Sequence, residues 1–286
     1  MLVAVVVTFS ATARDLGRCI AALRAGGGVD RLVVIDTGGA AIVDDLPGTP
    51  PCEVIRVANR GYGAAANIGF ARAAALGADR VALLNDDVLV RSGWTAPLLA
   101  ALDTAPEVGA AQPKLLDATT GLINSLGVRI GPDGAGTDIG DGQTDDPAET
   151  ATAPVPIELF TGGAVLFTTG FLADTGGFDE RWFLYYEDVD LARRGAARGW
   201  RYVLAPGAVV EHARGMSAGA QPARTRFLQE RNRLWAAFRF ADPATIARAV
   251  WLSVRRVRHD PRDVHRRALL AGLRGAPRLL RERFAR

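Results

Sequence analysis

The chain has 286 residues, of which 49% are hydrophobic and 23% charged, and this composition excludes disordered and fibrous proteins. It holds only two cysteines, Cys19 and Cys52, which excludes a disulfide framework and a multi-cysteine zinc site and is typical of a reduced, cytosolic setting. The length favours one large α/β domain, alone or with an appendage. No apolar run approaches the ~20 residues that a membrane-spanning helix needs.

Charge is distributed unevenly along the chain, although the net value is only +3. The segment from Arg224 to Arg286 contains 17 arginines and five acidic residues, a net charge of +12, which leaves −9 on residues 1–223. We expect two regions, a domain over 1–223 and an arginine-rich amphipathic helical extension over 224–286. A basic tail on an acidic body favours an anionic partner, either a membrane surface or a nucleic acid.

The first predicted element is a strand rather than a signal peptide, because its apolar run lacks a basic start and a cleavage site. Short runs rich in Val, Leu and Ile alternate with helical spacings of apolar residues up to residue 85. This alternation predicts a mostly parallel, doubly wound sheet with helices on both faces. The predicted strands are Leu2–Phe9, Leu32–Asp36, Val54–Ala58 and Val81–Asn85, and the predicted helices are Arg14–Ala25 and Ala64–Leu76.

The second half is less regular. Residues 131–155 carry six acidic and no basic residues, with several Gly and Pro, and predict a flexible loop. Beyond Thr225 the pattern is helical, with an apolar stripe at Ile246, Val250, Val254 and Val257. Between these segments we predict strands at Leu159–Thr169, Tyr202–Ala205 and Ala208–Glu211 and a helix at Glu187–Gly199.

Polar residues end the predicted strands, where ligands bind in sheets of this kind. Thr8, Ser10, Asp36 and Asn59 stand at three of these ends, and Asn85-Asp86-Asp87 at the fourth. Adjacent carboxylates favour a cation between them, and carboxylate oxygen suits Mg²⁺ or Mn²⁺. A turn cap is the alternative explanation, since Asn and Asp are common in turns.

A second acidic cluster opens the helix predicted from Glu187. Glu187, Asp188 and Asp190 follow an aromatic run, and helix capping explains only part of this excess of carboxylates. A carboxylate beside an aromatic wall can act as a general base. His212, which ends a strand, is a structural residue unless it meets Asp87, in which case the two form a plausible divalent-metal pair.

The glycines of Asn59-Arg60-Gly61-Tyr62-Gly63 let the backbone approach a ligand before a helix. The loop after the first strand has no glycine, so a dinucleotide-binding fingerprint is absent. The motifs together, in this order, resemble family 2 inverting glycosyltransferases of the GT-A fold, especially the branch with rhamnosyltransferases. The resemblance covers about residues 2–235 and is carried by Asn59–Gly69, Leu84–Asp87, Gly176–Glu180, Tyr186–Leu191, Pro206 and His212.

The resemblance implies a GT-A (Rossmann-like) mixed, mostly parallel sheet flanked by helices, followed by the basic helical extension. It implies a divalent metal (Mg²⁺ or Mn²⁺) on Asp87 and His212, and Asp188 as the catalytic base. Asn85 replaces the first carboxylate of the family's acidic motif, and Thr37-Gly38-Gly39 replaces its Asn-Gly-Ser. The implied donor-binding residues are Thr8, Phe9, Ser10, Asp36, Arg60, Gly61, Asn67, Asn85 and Asp86, and the implied acceptor region is Gly162, Gly163, Trp182, Tyr186 and Glu187.

The implied activity is metal-dependent transfer of a sugar, with inversion, from a nucleotide-diphosphate donor to a hydroxyl of a cell-envelope glycan or polyprenyl-linked acceptor. Rhamnose from dTDP-rhamnose is the first expectation. We expect the basic tail to bind the anionic inner face of the cell membrane, and a tail packed on the body or at a homodimer contact is the alternative. No nucleic-acid module is recognisable. The competing functions are an inactive glycosyltransferase-like protein that binds nucleic acid or membrane, and a sugar-phosphate nucleotidyltransferase, whose glycine-rich N-terminal loop is missing here.

Overall fold

The computed structural model describes residues 1–9, 13–38, 47–146, 153–213, 222–260 and 263–284. Ser10 and part of the acidic segment 131–155 lie outside these residues. The elements in chain order are β1 (Leu2–Thr8), α1 (Ala13–Gly26), β2 (Arg31–Asp36), β3 (Cys52–Arg56), α2 (Tyr62–Ala75), β4 (Arg80–Asn85), β5 (Val88–Val90), α3 (Thr95–Leu102), β6 (Val108–Asp117), β7 (Ile123–Ser125), β8 (Val128–Ile130), β9 (Gly136–Asp138), β10 (Val155–Ile157), β11 (Ala164–Thr168), α4 (Thr169–Thr175), α5 (Glu187–Ala196), β12 (Arg201–His212), α6 (Pro222–Phe240), α7 (Pro243–Val257) and α8 (Val264–Phe284).

A mixed sheet forms the centre of the fold. Its strand order is β10-β12-β6-β11-β4-β1-β2-β3, with β5 paired to β12 and β7 to β6. Strands β1 to β4 are mutually parallel. Strands β6 and β12 are parallel to each other and run in the same direction as the first four strands. β11 lies between β4 and β6 and is antiparallel to both. The start of β11 therefore lies at the same edge of the sheet as the carboxyl ends of β4 and β12.

Both faces of the sheet are covered, as the continuous apolar run of β1 requires. Leu2, Ala4 and Val6 pack on the face covered by α1 and α3, whereas Val3, Val5 and Val7 pack on the face covered by α2, α4 and α5. This alternation follows from the two-residue period of a strand. The result confirms the predicted mostly parallel sheet with helices on both sides.

Several predicted bounds were wrong. The third strand is Cys52–Arg56 rather than Val54–Ala58, and β11 begins at Ala164, so residues 159–163 lead into the strand instead of belonging to it. The two strands predicted between residues 202 and 211 form one strand, β12, whose register shifts between Ala205 and Val209. A bulge around Pro206 explains the shift, since proline cannot donate to the ladder.

The acidic segment is not a loop throughout. Gly136–Asp138 form β9, which pairs with β8 in a short hairpin. The single lysine of the chain, Lys114, is buried and its Nζ lies 2.6 Å from Asp145 Oδ1. This ion pair ties the segment to β6.

The basic extension is folded onto the sheet domain. α6 packs against α7 and α8 around Leu234, Phe238 and Leu279. The predicted stripe of α7 is only partly buried, because Ile246 and Val250 join this core whereas Val254 is exposed. Among the described residues, no helix is long and apolar enough to cross a membrane.

Candidate active site

The acidic end of β4 meets the end of β12. His212 Nε2 lies 3.1 Å from Asp87 Oδ1 and 3.5 Å from Asn85 Nδ2. Asp86 is buried, and its Oδ2 has no hydrogen-bond partner. Burial raises the pKa of Asp86, and the charge of Asp87 acts in the same direction. This corner concentrates negative charge that the described side chains do not fully neutralise.

A residue that the sequence did not indicate orients His212. His212 Nδ1 lies 2.8 Å from Asn124 Oδ1, on the segment β7. An amide oxygen can only accept, so Nδ1 donates to Asn124 and the ring is held with Nε2 facing Asp87. A partner on the second ring nitrogen is the usual means of orienting an imidazole ligand.

Asp188, in the first turn of α5, is bonded to the turn that precedes β11. Gly162 N–H donates to Asp188 Oδ2 at 2.9 Å, and Val189 N–H donates to Oδ1 at 2.8 Å. The Tyr62 hydroxyl donates to the carbonyl of Gly162 at 2.7 Å, which fixes that peptide. Burial raises the pKa of Asp188, whereas the two backbone donors lower it. These donors favour the ionised carboxylate that a general base requires.

The neighbouring carboxyl, Glu187, has a different environment. It is buried, and its Oε2 has no hydrogen-bond partner. Burial and the charge of Asp188 raise the pKa of Glu187 to about 8. The protonated form of Glu187 is therefore favoured at neutral pH, which removes its negative charge from beside Asp188.

The turn before these carboxyls has an unusual backbone. Phe183, Tyr185 and Tyr186 have φ angles of 69°, 70° and 69°, in the left-handed region that non-glycine residues rarely adopt. Asn232 of α6 is fully buried, and its Nδ2 lies 3.1, 2.8 and 2.7 Å from the carbonyl oxygens of Trp182, Leu184 and Tyr185. The C-terminal extension thus holds the strained turn in place, a role that nothing in the sequence indicated.

Asp188, Glu187 and His212 open on one cleft with a volume of about 690 Å³. The turn Gly162-Gly163 links its two halves, because Gly162 bonds to Asp188 while Gly163 packs beside His212 and Asn85. The structure thereby brings together most of the residues predicted for the acceptor region with the predicted base and the histidine. They are Asn85, Gly162, Gly163, Tyr186, Glu187, Asp188 and His212.

The residues predicted for donor binding lie mainly along the strand ends. Thr8 and Asp36 are buried at the ends of β1 and β2, and Phe9 follows β1 with an exposed side chain. Arg60 is exposed, and its Nη2 lies 3.0 Å from Glu180 Oε2. Gly61, with a φ of 103°, lets the backbone of Phe183 approach closely, so its local role is packing.

Two predicted contacts need correction. Asn67 accepts a hydrogen bond from Phe178 N–H and donates one to the Phe178 carbonyl, both at 2.9 Å, so its amide fixes the Gly176–Phe178 segment instead of facing a donor. Trp182 is buried against Trp235 with ring centroids 5.8 Å apart, so it anchors the extension and does not face an acceptor. Aromatic runs in a sequence do not reveal which rings are covered.

The profile of the family described as "Glycosyltransferase like family 2" matches residues 2–236. The chain belongs to glycosyltransferase family 2. This family 2 enzyme has the fold of GT-A glycosyltransferases: GalNAc-T7 with UDP, GalNAc and Mn²⁺ superposes with a TM-score of 0.68 and 15% identity over 91% of this chain and 51% of that one. The mannosyltransferase PcManGT of Pyrobaculum calidifontis, with GDP-Man and Mn²⁺, superposes with a TM-score of 0.54 and 15% identity. The superposition covers 96% of this chain and 86% of that one.

A curated relative matches a shorter part of this family 2 glycosyltransferase. It is the N-acetylglucosaminyl-diphospho-decaprenol L-rhamnosyltransferase of Mycobacterium tuberculosis, found in two strains, which is 41% identical over 68 residues. The match spans 24% of this chain and 22% of the length of that relative. It supports similarity to a rhamnosyltransferase over that segment.

The donor set of this family 2 glycosyltransferase fits a divalent cation. Within the described ranges, no group of three or more His, Cys, Asp and Glu side chains forms a complete metal cage. Asp87 and the oriented Nε2 of His212 nevertheless lie close enough to share one ion, and Asp86 adds a buried oxygen without a partner. Mg²⁺ and Mn²⁺ commonly take the rest of their ligands from substrate phosphates and water.

Proposed function

We propose that the protein is a metal-dependent, inverting glycosyltransferase that moves a sugar from a nucleotide-diphosphate donor to an acceptor hydroxyl, with Asp188 as the catalytic base. The observation that carries this proposal is the geometry of Gly162 and Gly163. This turn joins Asp188, whose carboxylate accepts hydrogen bonds from two backbone N–H groups, to His212 of the Asp87–His212 pair across a single cleft.

Each group of the cleft has a task in this reaction. Asp188 accepts the proton of the acceptor hydroxyl as that oxygen bonds to the anomeric carbon, and attack opposite the departing diphosphate inverts the configuration. Glu187 keeps its own proton, so the pair carries a single negative charge. Asp87 and His212 would hold the divalent cation, which supplies positive charge to the departing nucleoside diphosphate.

The nature of the substrates rests on the relative. Rhamnose from dTDP-rhamnose is the proposed donor group, and a polyprenyl-diphosphate-linked sugar of a cell-envelope glycan is the proposed acceptor, because the relative is named as a rhamnosyltransferase acting on N-acetylglucosaminyl-diphospho-decaprenol. A lipid-linked acceptor requires the enzyme to work at a membrane surface.

Exposed apolar side chains on α7 and α8 support a peripheral location on the inner face of the cell membrane. Trp251 is 58% exposed, and Leu270 and Leu273 are also exposed beside arginines. Aromatic and aliphatic side chains flanked by cations are typical of interfacial helices. We expect salt-sensitive co-sedimentation with vesicles that contain anionic lipid. Absence of binding at low salt would contradict this location.

The activity is tested with a donor screen. The protein is incubated with Mn²⁺ or Mg²⁺ and a panel of nucleotide sugars, and thermal unfolding is followed, because a ligand that binds the native state raises its apparent stability. The selected donor is then used in a transfer assay with the diphospho-lipid acceptor. We expect a metal-dependent shift with a dTDP-sugar and transfer with inversion; a protein that binds donors and transfers none would be an inactive glycosyltransferase-like protein instead.

A further inference from the structure

The active-site cleft has two walls of opposite charge. The wall from the sheet domain carries the carboxylates Asp138, Glu187 and Asp188. The facing wall comes from the C-terminal extension and carries most of the cations of the cleft. Its polar residues are Arg226, Gln229, Glu230, Arg233, Arg256 and His265.

Ion pairs within the C-terminal extension neutralise only some of the cations on this wall, which we call the basic wall. Glu230 is buried and is its single carboxylate; its Oε1 lies 2.7 Å from Arg233 Nη2, and its Oε2 pairs with Arg256. Arg233 also donates to Ser253 and to two backbone carbonyls, so it is a structural residue. Positive charge on the wall therefore exceeds the charge of its carboxylate.

The outer residues of the wall have unused donors. Arg226 is exposed and, within the residues that the structure describes, has neither a hydrogen bond nor an ion pair. The Nδ1 of His265 is buried and has no hydrogen-bond partner. Arg256 keeps more than a third of its side chain exposed beyond its contact with Glu230. These three side chains share one stretch of the cleft wall.

The same three side chains continue into a second hollow of about 340 Å³, which adds Leu252, Arg255, His259 and one carboxylate, Asp260. Asp260 accepts a hydrogen bond from the backbone N–H of His265, so cations still outnumber carboxylates along this hollow. The guanidinium of Arg255 lies 4.7 Å from the centre of the Trp251 ring, on the exposed face of α7. A continuous path thus leads from Asp188, past a strip of cations, to an exposed apolar surface. Along this path Asp188 faces the reacting hydroxyl, the cations suit an anionic group, and Trp251 offers an apolar surface.

We propose that Arg226, Arg256 and His265 bind the diphosphate of a lipid-linked acceptor, which places its sugar toward Asp188 and its lipid chain over Trp251. This inference rests on the proposed function, because it takes the same cleft as the site of transfer. Guanidinium groups suit phosphate, since their planar donors form bidentate, charge-assisted hydrogen bonds. The diphosphate of the donor has its own site at the Asp87–His212 corner, on the other wall.

The experiment measures binding without any sugar transfer, so its outcome is independent of the donor. N-acetylglucosaminyl-diphospho-decaprenol in detergent micelles and inorganic diphosphate serve as two separate ligands. The variants are Arg226→Gln and His265→Gln, and the matched control is Arg248→Gln, which removes one exposed cation of α7 that does not line the cleft. Donor binding, followed by thermal unfolding, is measured for all four proteins.

We expect Arg226→Gln and His265→Gln to weaken binding of the lipid about tenfold each, the effect of one lost hydrogen bond to a charged group, while Arg248→Gln and donor binding stay unchanged. Weak competition by inorganic diphosphate at the same residues would identify the diphosphate as the recognised group. Unchanged lipid binding in both variants, an equal loss in Arg248→Gln, or a loss of donor binding instead would each overturn the assignment. Failure of sugar transfer with intact lipid binding would contradict only the proposed function.

Discussion

Replacement of Asn232 by alanine tests whether the C-terminal extension positions Asp188, the proposed catalytic base. The amide of Asn232 contacts the carbonyl oxygens of Trp182, Leu184 and Tyr185, at 3.1, 2.8 and 2.7 Å. The Trp182 carbonyl also accepts from Arg231 Nη2 at 2.8 Å. The two carbonyls that depend on its N–H groups are therefore those of Leu184 and Tyr185. Without these N–H groups, the strained turn that leads into Glu187 loses its support.

The size of the effect follows from these contacts. Each buried carbonyl left without a donor costs about 1–3 kcal/mol, and each left-handed non-glycine residue stores about 1–3 kcal/mol that the native contacts must offset. The turn relaxes before the full penalty is reached, so we expect a loss of about 3 kcal/mol in the free energy of unfolding. A relaxation of about 1 Å at Asp188 lowers kcat by roughly 100-fold.

Two measurements separate positioning from stability. Denaturant unfolding gives the change in free energy, and kcat is measured well below the melting temperature, where the variant is folded. Donor binding is expected to stay near normal because the Asp87–His212 corner lies on other elements. Gln143→Ala, at an exposed side chain, is the control. A variant that loses stability but retains full kcat would refute the proposed link between Asn232 and Asp188.

Three further predictions concern the cleft itself. Asp188→Asn should abolish transfer while the thermal shift caused by the donor persists, and transfer at the normal rate would exclude Asp188 as the base. Asn124→Ala should weaken Mn²⁺-dependent donor binding about 10–100-fold by releasing the ring of His212; equal affinity in the variant would show that the ring needs no such partner. Because the pKa of Glu187 rises from 4.5 to about 8 on folding, its contribution to stability is full below pH ~4.5 and is lost as pH rises through 8. Glu187→Gln should flatten that slope in denaturant unfolding at pH 5 to 8, and an unchanged slope would contradict the raised pKa.

Local patterning predicted the sheet because its strands are continuous apolar runs. The bounds of β2 and β4 differ from the prediction by a single residue at one end, since Asp36 and Asn85 end these runs abruptly. Segments with mixed patterns were less predictable. β6 and α3 were missed, and β11 was predicted five residues too early, because the apolar residues Leu159 and Phe160 pack in the core without belonging to the strand.

The site could be predicted only where its chemistry lies in adjacent residues. Paired acidic residues led to the prediction of Asp87 and Asp188 as site residues, and the fold places both near the turn that precedes β11. The supporting residues Asn124 and Asn232 act on partners 88 and about 50 positions away, and a single amide side chain gives no sign of such a distant contact. For Asn67 the motif suggested a contact with the donor, whereas its amide forms hydrogen bonds with the backbone of Phe178.

Composition alone overstated how much positive charge of the extension is available to an external anion. Arg239 Nη1 lies 2.6 Å from Asp190 Oδ1 and 3.0 Å from Asp179 Oδ2, and Arg181 of the sheet domain pairs with Glu282 of α8. These contacts neutralise part of the positive charge of the extension and join the two regions. Hydrogen bonds and charge from Arg181, and then from Arg239, lower the pKa of Asp179 to about 2 despite its burial. The exposed cations that these ion pairs leave, among them those on the outer faces of α7 and α8 and along the cleft, are available to an anionic ligand. The extension therefore forms part of the wall of the candidate active site, and any membrane contact must use the side chains that remain exposed on its outer faces.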